Sequence, residues 1–399
     1  MSRIKKYRGM ALVAILILAA FLYGSSLFLP HLENDEVIYQ TLVSRTSQGL
    51  DHYNLDGTIY SQKLPEIYDS RLFYHPPFFI ISLLPIWHIL GNGFLILLPI
   101  FSGVAVIFLT YCLAVRLLSP LHGLLSCVFL LFCPLLTFAS TRLLMETYLT
   151  AWLLLMLVFL LQYEEKWRWR YLLLSALCFA LASLIKISAA FLIPLVVFII
   201  MTQRDTLLAR SVALAFFFFI VTALNVPWYL YFKMHQGSWL FVPNITEQTK
   251  ELLPFIREVC KRPAWLCLIF LPWIYPIYLF GYLRSLMLPL DRSGIILTGC
   301  AGSVLLGYFL LAQSSNLTVQ ARYLVPALPA MAILSADFVI QKRGRWVALL
   351  CLLFVGIGFG TGLLNSFVSR PADVHDIFWY VKYLYPLNHP AWANLVASF

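Results

Sequence analysis

The sequence predicts an all-α fold, a polytopic transmembrane helical bundle, and three observations carry that prediction. Hydrophobic residues make up 61% of the 399-residue chain and charged residues only 12%, against about 25% charged in an ordinary soluble domain. The mean hydropathy is +0.84. Long uncharged runs recur along the chain, most of them near the roughly 20 residues a helix needs to cross about 30 Å of hydrocarbon. Such runs must close their backbone hydrogen bonds internally, because lipid offers no partners.

Taken in order, the runs give about eleven spans: residues 9–30, 95–115, 121–141, 147–163, 171–185, 187–203, 211–232, 264–283, 294–312, 322–340 and 346–364. The first follows Arg3, Lys5, Lys6 and Arg8. It is too long for the apolar core of a signal peptide and reads as an uncleaved span. Runs 171–185 and 187–203 are short and split by Lys186, which suggests a tight hairpin. Segment 77–90 holds Pro85 and His88 and is too short to cross, so it reads as an interfacial helix in a large first outer loop. Residues 1–364 form one membrane unit, and 365–399 a short outer tail.

Orientation follows from the basic residues. With the N-terminus in the cytoplasm, the inner segments hold 15 of the 28 Lys and Arg. Their density is about threefold that of the outer face, as the positive-inside rule requires. The same bias accounts for the net charge of +10 without invoking nucleic acid, since no run of five or more basic residues occurs. The eight Cys lack C-x-x-C spacing and sit mostly in apolar runs, so they read as packing residues. No P-loop or dinucleotide-binding glycine pattern is present.

This topology collects the chemistry-bearing residues on one face. Glu33, Asp35 and Glu36 follow span one directly. A carboxylate beside low-dielectric lipid has the basicity to take a proton from a hydroxyl, although a solvated loop start would look the same. His75 precedes Pro76-Pro77, which would hold it at the interface. Arg142 and Glu146 are four residues apart, the spacing of a helical ion pair. Lys186 interrupts an apolar stretch, where an ionisable residue is either functional or snorkels to the headgroups. Arg322, with Tyr323, opens a span on the same face, and its guanidinium fork suits phosphate oxygens.

At these positions the chain resembles the GT-C superfamily of membrane glycosyltransferases. It is most similar to the branch of protein O-mannosyltransferases and aminoarabinose transferases. The resemblance rests on Asp35-Glu36 after span one, Tyr74-His75-Pro76-Pro77-Phe78, Met145-Glu146-Thr147, Lys186, Pro227-Trp228-Tyr229, and Arg322-Tyr323 with Pro326 and Pro329. These cover residues 10 to about 340 in order and spacing. The resemblance implies a donor sugar on a polyprenyl phosphate and chemistry on the periplasmic or lumenal face. Asp35 is then the catalytic carboxylate, with Glu36 its rival, and His75, Glu146, Lys186, Arg322 and Tyr323 bind substrate. Glu146 departs from the family, whose second acidic residue is usually Asp.

The expected function is therefore transfer of a sugar, with inversion, from a polyprenyl-phosphate donor to a hydroxyl on a lipid, glycan or protein acceptor. The expected location is a bacterial inner membrane. The sequence marks no certain cofactor; a divalent cation is compatible with the outward carboxylates, none of which has diagnostic ligand spacing. The alternatives are a lipid or sugar transporter, which should show matching halves and charges near the midplane, and a non-catalytic assembly subunit, which should tolerate loss of Asp35.

Overall fold

The computed structural model describes residues 2–28, 34–63, 71–203, 205–237, 276–287, 291–314, 321–341 and 356. Among the described residues the chain forms α-helices and short 3₁₀ turns and no strand, as the composition predicts. Among the described residues five helices are long and apolar enough to cross a membrane: Tyr7–Leu27, Asn92–Leu117, Glu146–Lys166, Leu207–Gln236 and Arg322–Gln341. The spans expected at 264–283 and 346–364, and the tail 365–399, fall wholly or largely outside the described residues.

The chain divides into two compact units. Unit 1 comprises Met1–Leu22, Thr110–Phe138 and Val242–Phe399; unit 2 comprises Tyr23–Leu109 and Ala139–Phe241. In chain order the helices are α1 (Ser2–Gly24), α2 (Asn34–Thr46), α3 (Ile59–Lys63), α4 (Phe78–Leu90), α5 (Leu97–Leu117), α6 (Pro120–Leu131) and α7 (Pro134–Ser140). They continue with α8 (Glu146–Lys166), α9 (Trp169–Ser183), α10 (Ile193–Met201), α11 (Leu207–Gln236), α12 (Pro276–Met287), α13 (Arg292–Ser314) and α14 (Leu328–Gln341).

In unit 2, α8 and α9 pack along their length, α9 also packs on α11, and α2 packs on α4. The α8–α9 turn is made by Trp167 in the left-handed region (φ 52°), whose N–H closes on Tyr163 O. Hydroxyls tie the helices together: Ser175 Oγ donates to Met156 O at 2.9 Å. Gly103 on α5 permits a close approach, since a Cβ there would meet Ser140 Oγ at 2.2 Å. The most apolar window of α8 is 72% buried, whereas that of α11 is only 11% buried. Helix α8 is thus an internal strut, and α11 turns its apolar surface outward, where lipid is the fitting solvent. Thr206 caps the start of α11 by accepting from Ala209 N, and Gly237 (φ 75°) ends it.

In unit 1, α14 is the centre: α6, α12 and α13 all pack on it, and Leu328 through Ala336 are buried. Gly281 lets α12 and α14 approach at backbone distance, because a Cβ there would lie 2.7 Å from Ser335 Cα. A polar network joins one end of these helices. Asp337 accepts from His122 Nε2 at 3.2 Å and from Gln341 Nε2 at 2.7 and 2.8 Å, and pairs with Arg284 at 3.7 Å. Beside it lies a cavity of about 250 Å³ lined by Gly281, Ser285, Asp291 and Gly294.

Two sequence expectations need correction. Run 121–141 is not one helix: α6 ends at Leu131 and α7 begins at Pro134. Proline lacks the N–H to continue the ladder and clashes with the preceding turn, so it starts a new helix. The other concerns Arg142, which stands ahead of the α8 N-terminus rather than on a helix with Glu146. The apolar segment 77–90 is a helix over Phe78–Leu90, as expected, and its 13 residues span about 20 Å.

Candidate functional site

The acidic pair Asp35-Glu36 sits in the first turn of α2, where the helix dipole favours negative charge. The two carboxylates have different surroundings. Glu36 is 2% exposed. Its Oε1 accepts from Leu143 N at 2.7 Å, and its Oε2 lies 3.6 Å from Arg142 NH1. Asp35 is half-buried. Adjacent helical residues point about 100° apart, so fixing Glu36 in the protein aims Asp35 elsewhere.

Lys186 lies in the break between α9 and the 3₁₀ turn Ile187–Leu192. Its Nζ is 3.2 Å from Glu146 Oε1, and both side chains are at most 10% exposed. Glu146 is the first residue of α8. The backbone of Lys186 is held by its N–H to Ala182 O at 3.1 Å, and Phe78 N donates to neighbouring Leu184 O at 2.9 Å. The start of α4 is thereby docked on the lysine's own turn. An aromatic seam lines α2, α4 and α8: Tyr39 meets Phe79 edge-on, Phe79 meets Tyr148, and Ser82 Oγ bonds Tyr148 Oη at 2.9 Å.

His75 precedes this docking point. Its carbonyl accepts from Tyr53 Oη at 2.9 Å, and its ring packs 4.3 Å from Tyr74. Burial pushes the Tyr53 phenol well above its usual pKa, so the hydroxyl stays a neutral donor that pins the His75 backbone. Phe73 N in turn donates to Tyr53 O at 2.7 Å. Arg322 and Tyr323 belong to unit 1. There the Arg322 guanidinium lies 5.5 Å from the Tyr323 ring centre, and Tyr323 stacks on Tyr308 at 5.4 Å.

The structure therefore joins Glu36 with Arg142 and Glu146 with Lys186. Arg142 and Glu146, whose spacing suggested a pair within one helix, each have a partner far away in sequence. Residues 141–145 are non-helical, so the i, i+4 rule has no helix to act on. Tyr53 and the Leu143 N–H escaped sequence reasoning; nothing in their local pattern marks them, apart from the prolines that hold the segment Tyr53 grips. Among the described residues, no three His, Cys, Asp or Glu side chains are grouped to hold a metal ion.

The chain is an integral multi-pass membrane protein, and its fold and part of its sequence are similar to those of GT-C membrane glycosyltransferases. Residues 75–231 match the family described as dolichyl-phosphate-mannose-protein mannosyltransferase. The fold is shared with ArnT from Cupriavidus metallidurans. In the apo state ArnT matches with TM-score 0.62 and 18% identity, over 92% of this chain and 67% of that one. Bound to undecaprenyl phosphate it matches with TM-score 0.63 and 17% identity over the same shares, 92% and 67%. The archaeal oligosaccharyltransferase AglB from Archaeoglobus fulgidus, in complex with an inhibitory peptide and a dolichol-phosphate, matches with TM-score 0.59 and 12% identity, over 97% of this chain and 59% of that one. A search of curated protein sequences returns no significant match. None of these similarities supports the transporter alternative.

Proposed function

We propose that this glycosyltransferase moves a sugar from a polyprenyl-phosphate donor to an acceptor hydroxyl on the periplasmic face of a bacterial inner membrane, with inversion. The observation that carries the assignment is the different burial of the acidic pair: Glu36 is 2% exposed, whereas Asp35 beside it is only half-buried and within reach of a substrate. Asp35 is then the general base. It takes the proton from the acceptor hydroxyl as that oxygen bonds the anomeric carbon. The bond from that carbon to the phosphate oxygen breaks, and its electron pair leaves with the phosphate. Lys186 neutralises the phosphate charge; a fixed cation where charge develops is a large contribution to such catalysis. His75 and Glu146 contact the sugar or acceptor. The ArnT and AglB complexes with undecaprenyl phosphate and dolichol-phosphate support a lipid phosphate as the donor's anchor.

The test is transfer by the purified, reconstituted protein from a radiolabelled polyprenyl-phosphate sugar, with Lys186→Met in parallel. Label should move to the acceptor in the native protein, and Lys186→Met should weaken donor binding more than it lowers protein abundance. Unchanged donor affinity in Lys186→Met removes that residue from the site. The expected phosphate role of Arg322, with Tyr323 beside it, is tested separately by Arg322→Gln. Orientation is tested by an impermeant thiol reagent on Trp167→Cys in a background cleared of other reactive cysteines. Labelling from the outer side would reverse the topology.

A further inference from the structure

Lys186 is the cation that the proposed reaction assigns to the donor phosphate, and it already holds an anion. Its Nζ lies 3.2 Å from Glu146 Oε1, and the two residues are 8% and 2% exposed. A donor phosphodiester brought to the same ammonium would put a second negative charge within a few ångströms of the Glu146 carboxylate. Like charges that close, out of water, repel strongly, and one ammonium neutralises one of them. The turn that carries the ammonium is held in place, with Lys186 N bonded to Ala182 O and Leu184 O accepting from Phe78 N, so the lysine works from a fixed root. Glu146 has somewhere to go: it is the first residue of a 21-residue helix, whose positive dipole end supports a carboxylate that has lost its partner.

We infer that Glu146 is the resident counter-ion of Lys186, displaced by the donor phosphate and returning to expel the product. The inference rests on the reading of Lys186 given under Proposed function. The donor phosphodiester carries one negative charge. Once the sugar has left, the phosphomonoester carries up to two, so the product would hold Lys186 more tightly than the donor did. A carboxylate tethered beside the ammonium competes at high effective concentration and releases that hold on each turnover.

The experiment measures binding of sugar-free polyprenyl phosphate to the full-length protein in lipid nanodiscs. Native protein, Glu146→Gln, Glu146→Asp and Lys186→Met are compared. Glu146→Gln removes the competing charge while keeping a hydrogen-bonding oxygen, and should tighten binding by roughly 5- to 150-fold, the size of a typical coupling between two binding events. Glu146→Asp, whose carboxylate is drawn back by one methylene, should tighten it less; this variant carries the test if Glu146→Gln does not fold. With the complete donor, Glu146→Gln should show a burst of one product per enzyme, followed by slow turnover. Binding that is unchanged or weaker in both Glu146 variants overturns the inference. If Lys186→Met also leaves binding unchanged, the phosphate reading of the site fails with it. If Lys186→Met weakens binding while the Glu146 variants do not tighten it, only the counter-ion role fails.

Discussion

Two charged networks, one in each unit, use the same residue types under different conditions. In unit 2 the side chains of Glu36, Arg142, Glu146 and Lys186 are at most 10% exposed. In unit 1 His122, Arg284 and Asp337 are 15–26% exposed, and Asp337 shares its oxygens among three residues. A half-wet, redundant network staples helix ends and loses little when one member goes. A dry pair is rarely the cheapest way to hold a fold, because desolvation offsets most of its attraction. Keeping two such pairs in unit 2 is better explained by what the charges do than by what they hold.

The comparison can be sharpened by three substitutions, in descending order of effect. Asp35→Asn keeps shape and hydrogen bonding but removes the base, and should cut turnover by roughly 10²–10⁴-fold with folding and donor binding spared. A radiolabel transfer assay showing a loss under about tenfold would be too small for a general base. Arg142→Met strands the Glu36 carboxylate in the interior and should cost about 3–5 kcal/mol of stability, read as a lowered unfolding midpoint in detergent. Adding Glu36→Gln to Arg142→Met should recover part of that loss; no recovery would mean the pair is not the cause. Asp337→Asn should cost less than about 1 kcal/mol and leave transfer per folded protein unchanged. A loss as large as that of Arg142→Met would erase the distinction between the networks.

Much of this was legible in the sequence, for identifiable reasons. Helix placement follows from uncharged runs because lipid enforces internal hydrogen bonding. The acidic turn at Asp35-Glu36 and the isolated Lys186 were visible because charges are scarce in such a chain. The partners were not. Glu36 and Leu143 are 107 residues apart, and Lys186 and Glu146 are 40. Periodicity reports neighbours within one helix and is silent on which helices meet. The shared helix expected for Arg142 and Glu146 is absent for the same reason, since local spacing cannot say that Thr141 to Met145 run outside a helix. The break at Pro134 was readable, but the run of apolar residues on both sides masked it.

The interleaving of the two units along the chain has a consequence for how the protein is made. Unit 2 is interrupted by Thr110–Phe138, which belongs to unit 1. Glu36 is therefore synthesised 107 residues before the Leu143 amide that receives it. At about 5–20 residues per second, that carboxylate waits on the order of 5–20 seconds on the nascent chain. For that interval it is an acid on a nascent chain, and its place after the first apolar run rather than within it keeps the delay survivable. Moving it a turn deeper would leave the finished enzyme with the same ion pair and the ribosome with a charge to push into lipid before its partner exists.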